Sequence, residues 1–96
     1  NKIVLPLCED LSNHVFHLFV VRTENREHLQ EYLKENSIET LIHYPIPPHK
    51  QNALKEWNNL SFPITEKIHR EVLSLPISPV MSDDEVTKVV EILNRY

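Results

Sequence analysis

The sequence contains no glycine among its 96 residues, although average usage is about 7%. Glycine is the residue that most readily adopts a positive φ angle. Any position with positive φ must therefore be taken by another residue, and we expect Asn36 to take it at the end of a predicted helix. The absence of glycine also excludes the glycine-rich loops that bind phosphate groups.

Cysteine is nearly absent as well. The single Cys8 excludes an internal disulfide and is typical of a reducing compartment, so we expect a cytoplasmic protein. No apolar run is long enough to span a bilayer and no signal peptide is found, so no membrane partner is expected. The net charge is −4 without any basic cluster, which argues against a nucleic-acid partner.

The apolar periodicity predicts the order strand, helix, strand, short helices, strand, helix. The predicted strands are residues 14–22, 38–44 and 73–77, and the predicted helices are residues 25–36, 49–58, 63–72 and 82–94. We expect the fold class α+β, a short three-stranded, mainly antiparallel sheet with helices packed on one face. Residues 1–13 form a lead-in segment and residues 14–96 form one small domain. Because the chain starts at Asn1 rather than Met, we expect it to be part of a longer protein.

Two local patterns sharpen this prediction. Ser82 and Glu85 form a capping box at the start of the last helix. Both faces of the strand at 14–22 are mostly apolar, whereas the helices cover one face only. We therefore expect the second face to be covered by another part of a longer chain or by another subunit.

The most informative stretch for function is the end of the second predicted strand. The three residues Pro45, Pro47 and Pro48 stiffen the following loop, so the last side chains of the strand should be held in place. Those side chains are His43 and Tyr44, with His49 just beyond, and imidazole and phenol can both donate and accept hydrogen bonds. All three are candidates for binding a ligand. The alternative, in which Tyr44 packs on the sheet and His43 is incidental, is equally supported by the sequence.

The other histidines favour structural roles. His14 and His17 are expected to be packed strand residues on opposite faces, and His28 and His69 are expected on helix surfaces. A metal site could combine His43, His49 and Cys8, but no spacing matches a known zinc pattern, so no metal is expected.

Covalent catalysis within this chain is not predicted. We expect Cys8 to be a half-buried structural thiol, because no positive helix end is predicted nearby to lower its pKa. All lysines except Lys2 and Lys50 lie in polar positions of predicted helices, which favour solvated ammonium groups. None of the six is expected to be buried enough to form a Schiff base.

Three blocks in order resemble one known family. They are HVFHLFVVR (residues 14–22), ETLIHYPIPPHKQNAL (residues 39–54) and FPITEKIHREVLSLPISPVMSDDEV (residues 62–86). The chain resembles, from about residue 3 to 96, the C-terminal domain of the pyridoxal-phosphate-dependent nucleotide-sugar aminotransferases, the DegT/DnrJ/EryC1/StrS family.

This resemblance implies a homodimer of aspartate-aminotransferase-like fold. A large N-terminal domain would hold pyridoxal phosphate and its Schiff-base lysine, and the small C-terminal domain would close over the active site. An amino group, typically from glutamate, would pass to a nucleotide-linked keto-sugar. In members that act on 3-keto-sugars, the His-Tyr pair of the HYP segment lies near the sugar, which implies that role for His43 and Tyr44. His49 falls at the second histidine of the same segment.

Two departures from the family accompany the resemblance. Ser37 stands where the family often has glycine before the second strand. The large domain has no counterpart here, so we expect the 96 residues alone neither to bind pyridoxal phosphate nor to transaminate. The alternative function is a standalone small-molecule-binding or protein-interaction domain of the same fold.

Overall fold

The computed structural model describes residues 2–96. Its strands and helices are β1 (Phe19–Arg22), α1 (Arg26–Glu35), α2 (Pro63–Glu71), β2 (Val72–Leu75) and α3 (Asp83–Arg95). Short 3-10 helices lie at Leu11–Asn13, Pro48–Lys50 and Asn52–Trp57. Over the described range, no helix combines the length and the apolar character that crossing a membrane requires.

The sheet is an antiparallel pair of strands rather than the expected three. Phe19 of β1 lies opposite Leu75 of β2, and the predicted strand at 38–44 is reduced to one bridge between Leu41 and Ser74. The next hydrogen-bonded pairs of an antiparallel ladder lie two residues away on each side. Beyond Ser74 in the direction of the C-terminus, the partner of residue 39 would be Pro76, which has no N–H. In the opposite direction, the partner of residue 43 would be Val72, whose N–H already bonds the Ile68 carbonyl of α2. The ladder therefore stops after a single pair.

Strand β1 is also shorter than predicted, because the chain turns before Phe19. Phe16 has a φ of 45°, and its N–H donates to Nδ1 of His14 at 2.8 Å. The two rings stack at a centroid distance of 4.0 Å. His14 and His17 are both exposed, so the expectation that they are packed strand residues was wrong.

The hydrophobic core lies between one face of the sheet and helices α1 and α3. Its members are Val21, Leu29, Leu33, Ile38, Leu73, Leu75 and Ile92. The hydroxyl of Tyr32 in α1 donates to the Ile92 carbonyl of α3 at 2.9 Å, which links the two helices. The capping box of Ser82 and Glu85 at the start of α3 is present as predicted.

The residue in the left-handed conformation after helix α1 is Ser37, one position later than the expected Asn36. Ser37 has a φ of 62°, whereas Asn36 has a φ of −94°. The N–H of Ile38 bonds the Leu33 carbonyl at 2.8 Å and the N–H of Ser37 bonds the Lys34 carbonyl at 2.9 Å. These two bonds form a Schellman motif with serine at the usual glycine position.

The second face of the sheet is partly covered from within the chain. Val72 and Ser74 point away from the core, yet they are only 7% and 5% exposed. The expectation of an uncovered second face concerned the strand at 14–22, where Val20 and Arg22 are half-buried, and it stays a prediction there. Many large apolar side chains are instead exposed outside the sheet, among them Leu7, Val15, Ile64 and Val80.

The segment between residues 49 and 58 is not the single helix that the sequence predicts. The 3-10 helix Asn52–Trp57 is interrupted at Leu54, which has φ −121° and ψ 46°. Ala53 and Trp57, which a single helix would place on one face, are both exposed. The interruption explains this difference, because it breaks the helical periodicity that would have placed them on one face.

Candidate functional site

An open cleft of about 770 Å³ lies beside β2 and the segment that bridges to it. Its walls include His17, Gln30, Thr40, His43, Ser74 and Ile77. A cleft of this volume is within the range of small-molecule sites, about 300–1,000 Å³. Its mixed polar and apolar walls can accept a ligand that carries hydroxyl groups.

His43 lines this cleft and is fixed by β2. Its Nδ1 lies 2.9 Å from Oγ of the buried Ser74, so the strand determines the orientation of the imidazole ring. The other ring nitrogen, Nε2, makes no hydrogen bond to any residue in the range 2–96. His43 can therefore offer Nε2 to a ligand while Nδ1 stays bonded to the protein.

Tyr44 lies next to His43 but is held differently. Its ring meets the imidazole edge-on at a centroid distance of 5.3 Å, and its side chain is 62% exposed rather than packed on the sheet. Its backbone carbonyl accepts a hydrogen bond from Nδ1 of His69 at 2.6 Å. The peptide bond between His43 and Tyr44 is cis. These two predicted site residues are neighbours, but His43 is among the residues that line the cleft and Tyr44 is not.

His49 is in a different environment from that pair. It is 5% exposed, and its ring packs edge-on against Phe62 at 4.9 Å. Its Nε2 lies 3.7 Å from Oε1 of Glu66 and has no hydrogen-bond partner among the described residues. Among the described residues that line the cleft, His49 is not included. The structure therefore does not place His49 in the cleft that His43 lines.

The metal alternative has no support in the described part of the chain. Residues 2–96 contain no group of three His, Cys, Asp or Glu side chains that could hold an ion. Cys8 is half-buried, and its thiol donates to the Asp10 carbonyl at 3.4 Å.

His69 is a residue that sequence reasoning missed. It was expected on the surface of α2, but it is half-buried and donates to the Tyr44 carbonyl. Apolar periodicity gives no signal for such a bond, because its acceptor is a backbone atom 25 residues away.

An ion pair joins Arg22 at the end of β1 to Glu71, the last residue of α2. Arg22 donates from Nε and Nη2 to Oε2 of Glu71, at 3.0 and 2.7 Å. These bonds hold the pKa of Glu71 below its ordinary value, against the opposing effect of burial, and the charge of Lys67 adds to the lowering. Glu71 is therefore an ionised acceptor at neutral pH.

The fold and the cleft define a small α+β domain with His43 in the lining of an open cleft and Tyr44 exposed next to it. The same fold occurs in a crystal structure of DesV from S. venezuelae in complex with a ketimine intermediate. That structure matches with a TM-score of 0.90 and 36% identity over 99% of this chain and 26% of that chain. NtdA from Bacillus subtilis with bound cofactor PMP matches with a TM-score of 0.82 and 34% identity, over 98% of this chain and 22% of that chain.

The chain belongs to the DegT/DnrJ/EryC1/StrS aminotransferase family, whose model matches residues 1–94. It is 64% identical over 92 residues to the dTDP-3-amino-3,6-dideoxy-alpha-D-galactopyranose transaminase of Aneurinibacillus thermoaerophilus, over 96% of this chain and 25% of that protein. It is 36% identical over 94 residues to the dTDP-3-amino-3,4,6-trideoxy-alpha-D-glucose transaminase of Streptomyces venezuelae, again over 96% and 25%. The chain thus spans about a quarter of the length of these curated relatives.

Proposed function

We propose that this chain is the C-terminal small domain of a pyridoxal-phosphate-dependent nucleotide-sugar aminotransferase. The whole enzyme would transfer an amino group, typically from glutamate, to C3 of a dTDP-linked 3-keto-6-deoxy-sugar. The observation that carries this proposal is the 64% identity to a transaminase named for a dTDP-3-amino-3,6-dideoxy sugar. A 3-amino product of transamination requires a ketone at the same carbon of the substrate.

The role proposed for this domain is to bind the sugar. His43 would contact it through Nε2, because Nδ1 is bonded to Ser74. Tyr44 is 62% exposed next to His43, and its hydroxyl would supply a second polar contact, although Tyr44 does not itself line the cleft. Hydrogen bonds of this kind discriminate among sugars by the positions of their hydroxyl groups. Support comes from the cleft, whose volume of about 770 Å³ accommodates a sugar.

We assign His49 an indirect role in the proposed site, without contact to the sugar. Its buried ring contacts Phe62 edge-on and lies near the carboxylate of Glu66. Its backbone carbonyl accepts from the Asn58 side chain at 2.8 Å. The packing of the His49 ring and the hydrogen bond to its carbonyl favour a role for His49 in fixing the loop that begins at Pro45.

The residues of this chain do not fit the covalent attachment of pyridoxal phosphate. All six lysines lie within the described range, and all are exposed to solvent: Lys2, Lys34, Lys50, Lys55, Lys67 and Lys88. An exposed lysine stays protonated and solvated, which makes it a poor nucleophile toward the cofactor aldehyde. We therefore propose that the cofactor is held outside these 96 residues, which would neither bind it nor transaminate alone.

The proposed partner is a large N-terminal domain, within a cytoplasmic homodimer. The radius of gyration is 15.3 Å, whereas a compact domain of this length has about 12–13 Å. Val15, Val80 and Leu7 are each at least 88% exposed. An extended shape with exposed apolar side chains is typical of a domain that packs against further protein.

Amination of defined sugars by the full-length protein tests the proposal. We expect glutamate and a dTDP-linked 3-keto-6-deoxy-sugar to give a product with nitrogen at C3, identified by mass spectrometry and NMR. The matched control is the 4-keto isomer, for which we expect a kcat/KM at least about tenfold lower. Amination of the 4-keto isomer alone, or of neither sugar, would contradict the proposed substrate.

A further inference from the structure

We propose that His69 is a positioning residue that holds Tyr44 in place for sugar binding. The inference rests on the proposed function, in which the Tyr44 hydroxyl contacts the sugar. It assigns a role to a histidine outside the HYP segment, on helix α2, that touches no ligand itself.

The hydrogen bond between His69 and Tyr44 has a defined direction. A carbonyl oxygen only accepts, so Nδ1 of His69 must carry the hydrogen that it donates to Tyr44 across 2.6 Å. This short bond joins the last turn of α2 to the residue before Pro45. Because Pro45 has no N–H, it cannot anchor the loop through its own backbone donor.

His69 is itself held by a second element. Its backbone carbonyl accepts from Nη1 of Arg26 at 2.6 Å, and Arg26 is only 8% exposed at the start of α1. Helix α1 thus fixes the end of α2, and α2 in turn fixes the backbone of Tyr44. A hydrogen-bonded chain with one buried end is a rigid support for an exposed side chain.

Tyr44 needs such a support more than His43 does. His43 is half-buried and bonded to Ser74 of β2, whereas the Tyr44 side chain is 62% exposed and receives little packing. Without His69, the Tyr44 carbonyl would bond water, and the phenol would lose the support of this bond for its position next to His43. Displacement of a binding group by about 1 Å can reduce catalytic efficiency as much as about 100-fold.

The experiment uses the full-length protein and compares three replacements of His69. His69→Asn places an amide nitrogen near the position of Nδ1 and keeps the donor. His69→Gln moves the donor one carbon further away, and His69→Leu removes it. We expect KM for the keto-sugar to rise about tenfold in His69→Leu and His69→Gln. It should stay within about twofold in His69→Asn, and KM for glutamate should be unchanged in all three.

A double-mutant cycle with Tyr44→Phe separates positioning from folding. If His69 acts through the Tyr44 hydroxyl, His69→Gln should add little to the sugar KM of Tyr44→Phe, so the two effects are non-additive. Equal losses in His69→Asn and His69→Gln, or additive effects, would overturn the inference. His69→Gln with a normal sugar KM while Tyr44→Phe is impaired would also overturn it, and would leave the proposed function intact.

A normal sugar KM in Tyr44→Phe would instead overturn both the inference and the role of Tyr44 in the proposed function. Thermal unfolding of each variant monitors folding. If His69→Leu does not fold, the comparison of the asparagine and glutamine variants still decides the outcome.

Discussion

Ser37 adopts a φ of 62° immediately after α1, a conformation that costs an L-residue roughly 1–2 kcal/mol relative to glycine. Asn36 would tolerate this conformation better than serine does. However, the Asn36 side chain donates to the Tyr32 carbonyl at 2.8 Å, which holds Asn36 in the helix cap. The left-handed turn therefore passes to the next residue. Sequence reasoning identified the helix end but could not foresee this side-chain bond.

Replacement of Ser37 by glycine should stabilise the chain by about 1 kcal/mol, because it relieves the positive-φ cost. Urea unfolding of the 96-residue chain measures the change. Asn36→Gly is the matched control, and we expect it to destabilise, because φ is negative there and the bond to Tyr32 is lost. A Ser37→Gly variant no more stable than the parent would contradict the assigned backbone conformation.

At the scale of elements, the ion pair between Arg22 and Glu71 joins the end of β1 to the last residue of α2. Glu71 also accepts, through its backbone carbonyl, from the N–H of Thr23 at 3.1 Å. Its carboxylate side chain is 10% exposed and that of Arg22 is 38% exposed. The pair therefore fixes the point at which α2 meets the sheet.

Lower pH should weaken this junction. Because the Arg22 hydrogen bonds lower the pKa of Glu71 in the folded state from 4.5, its contribution is fully present above that value. It is lost as the pH falls below 4.5 and through the folded-state pKa. Glu71→Gln should cost about 1 kcal/mol at neutral pH, since solvent screens the partly exposed arginine.

Amide hydrogen exchange of β1 and β2, measured across the acid range, checks this prediction. The parent should lose protection on acidification more steeply than Glu71→Gln. Equal slopes in the two proteins would show that Glu71 does not account for the acid sensitivity. Glu91→Gln is a suitable control, because its pairing with Arg95 lies on exposed parts of α3.

Features that depend on residues close together in the sequence could be predicted. Features that depend on which distant residue takes a backbone hydrogen-bond donor could not. The capping box of Ser82 and Glu85 needs only four residues and was predicted correctly. The strand at 38–44 is limited by Pro76 and by Val72, whose N–H is taken by α2. The candidate site followed the same rule, since His43 and Tyr44 could be proposed from local sequence but the bond from His69 could not.

At the scale of the whole molecule, the chain resembles one part of a larger enzyme. It spans about a quarter of the length of its curated relatives, and its lysines are all exposed. The proposed function therefore assigns separate roles to two parts of the enzyme: the cofactor would be held elsewhere, and this domain would contribute the side chains that contact the sugar. This division makes the two half-reactions of a transaminase unequally sensitive to changes at His43.

The rate of each half-reaction in the full-length protein with His43→Asn is the most direct test of this division. Asparagine keeps a polar group near Nδ1 for Ser74 but lacks Nε2, the atom assigned to the sugar. We predict that amino transfer to the keto-sugar slows at least about tenfold, as the loss of one hydrogen bond allows, while amino donation by glutamate stays within about twofold. His28→Asn, on an exposed residue bonded to Tyr96, should change neither rate. Equal slowing of both half-reactions by His43→Asn, or slowing of neither, would contradict the account.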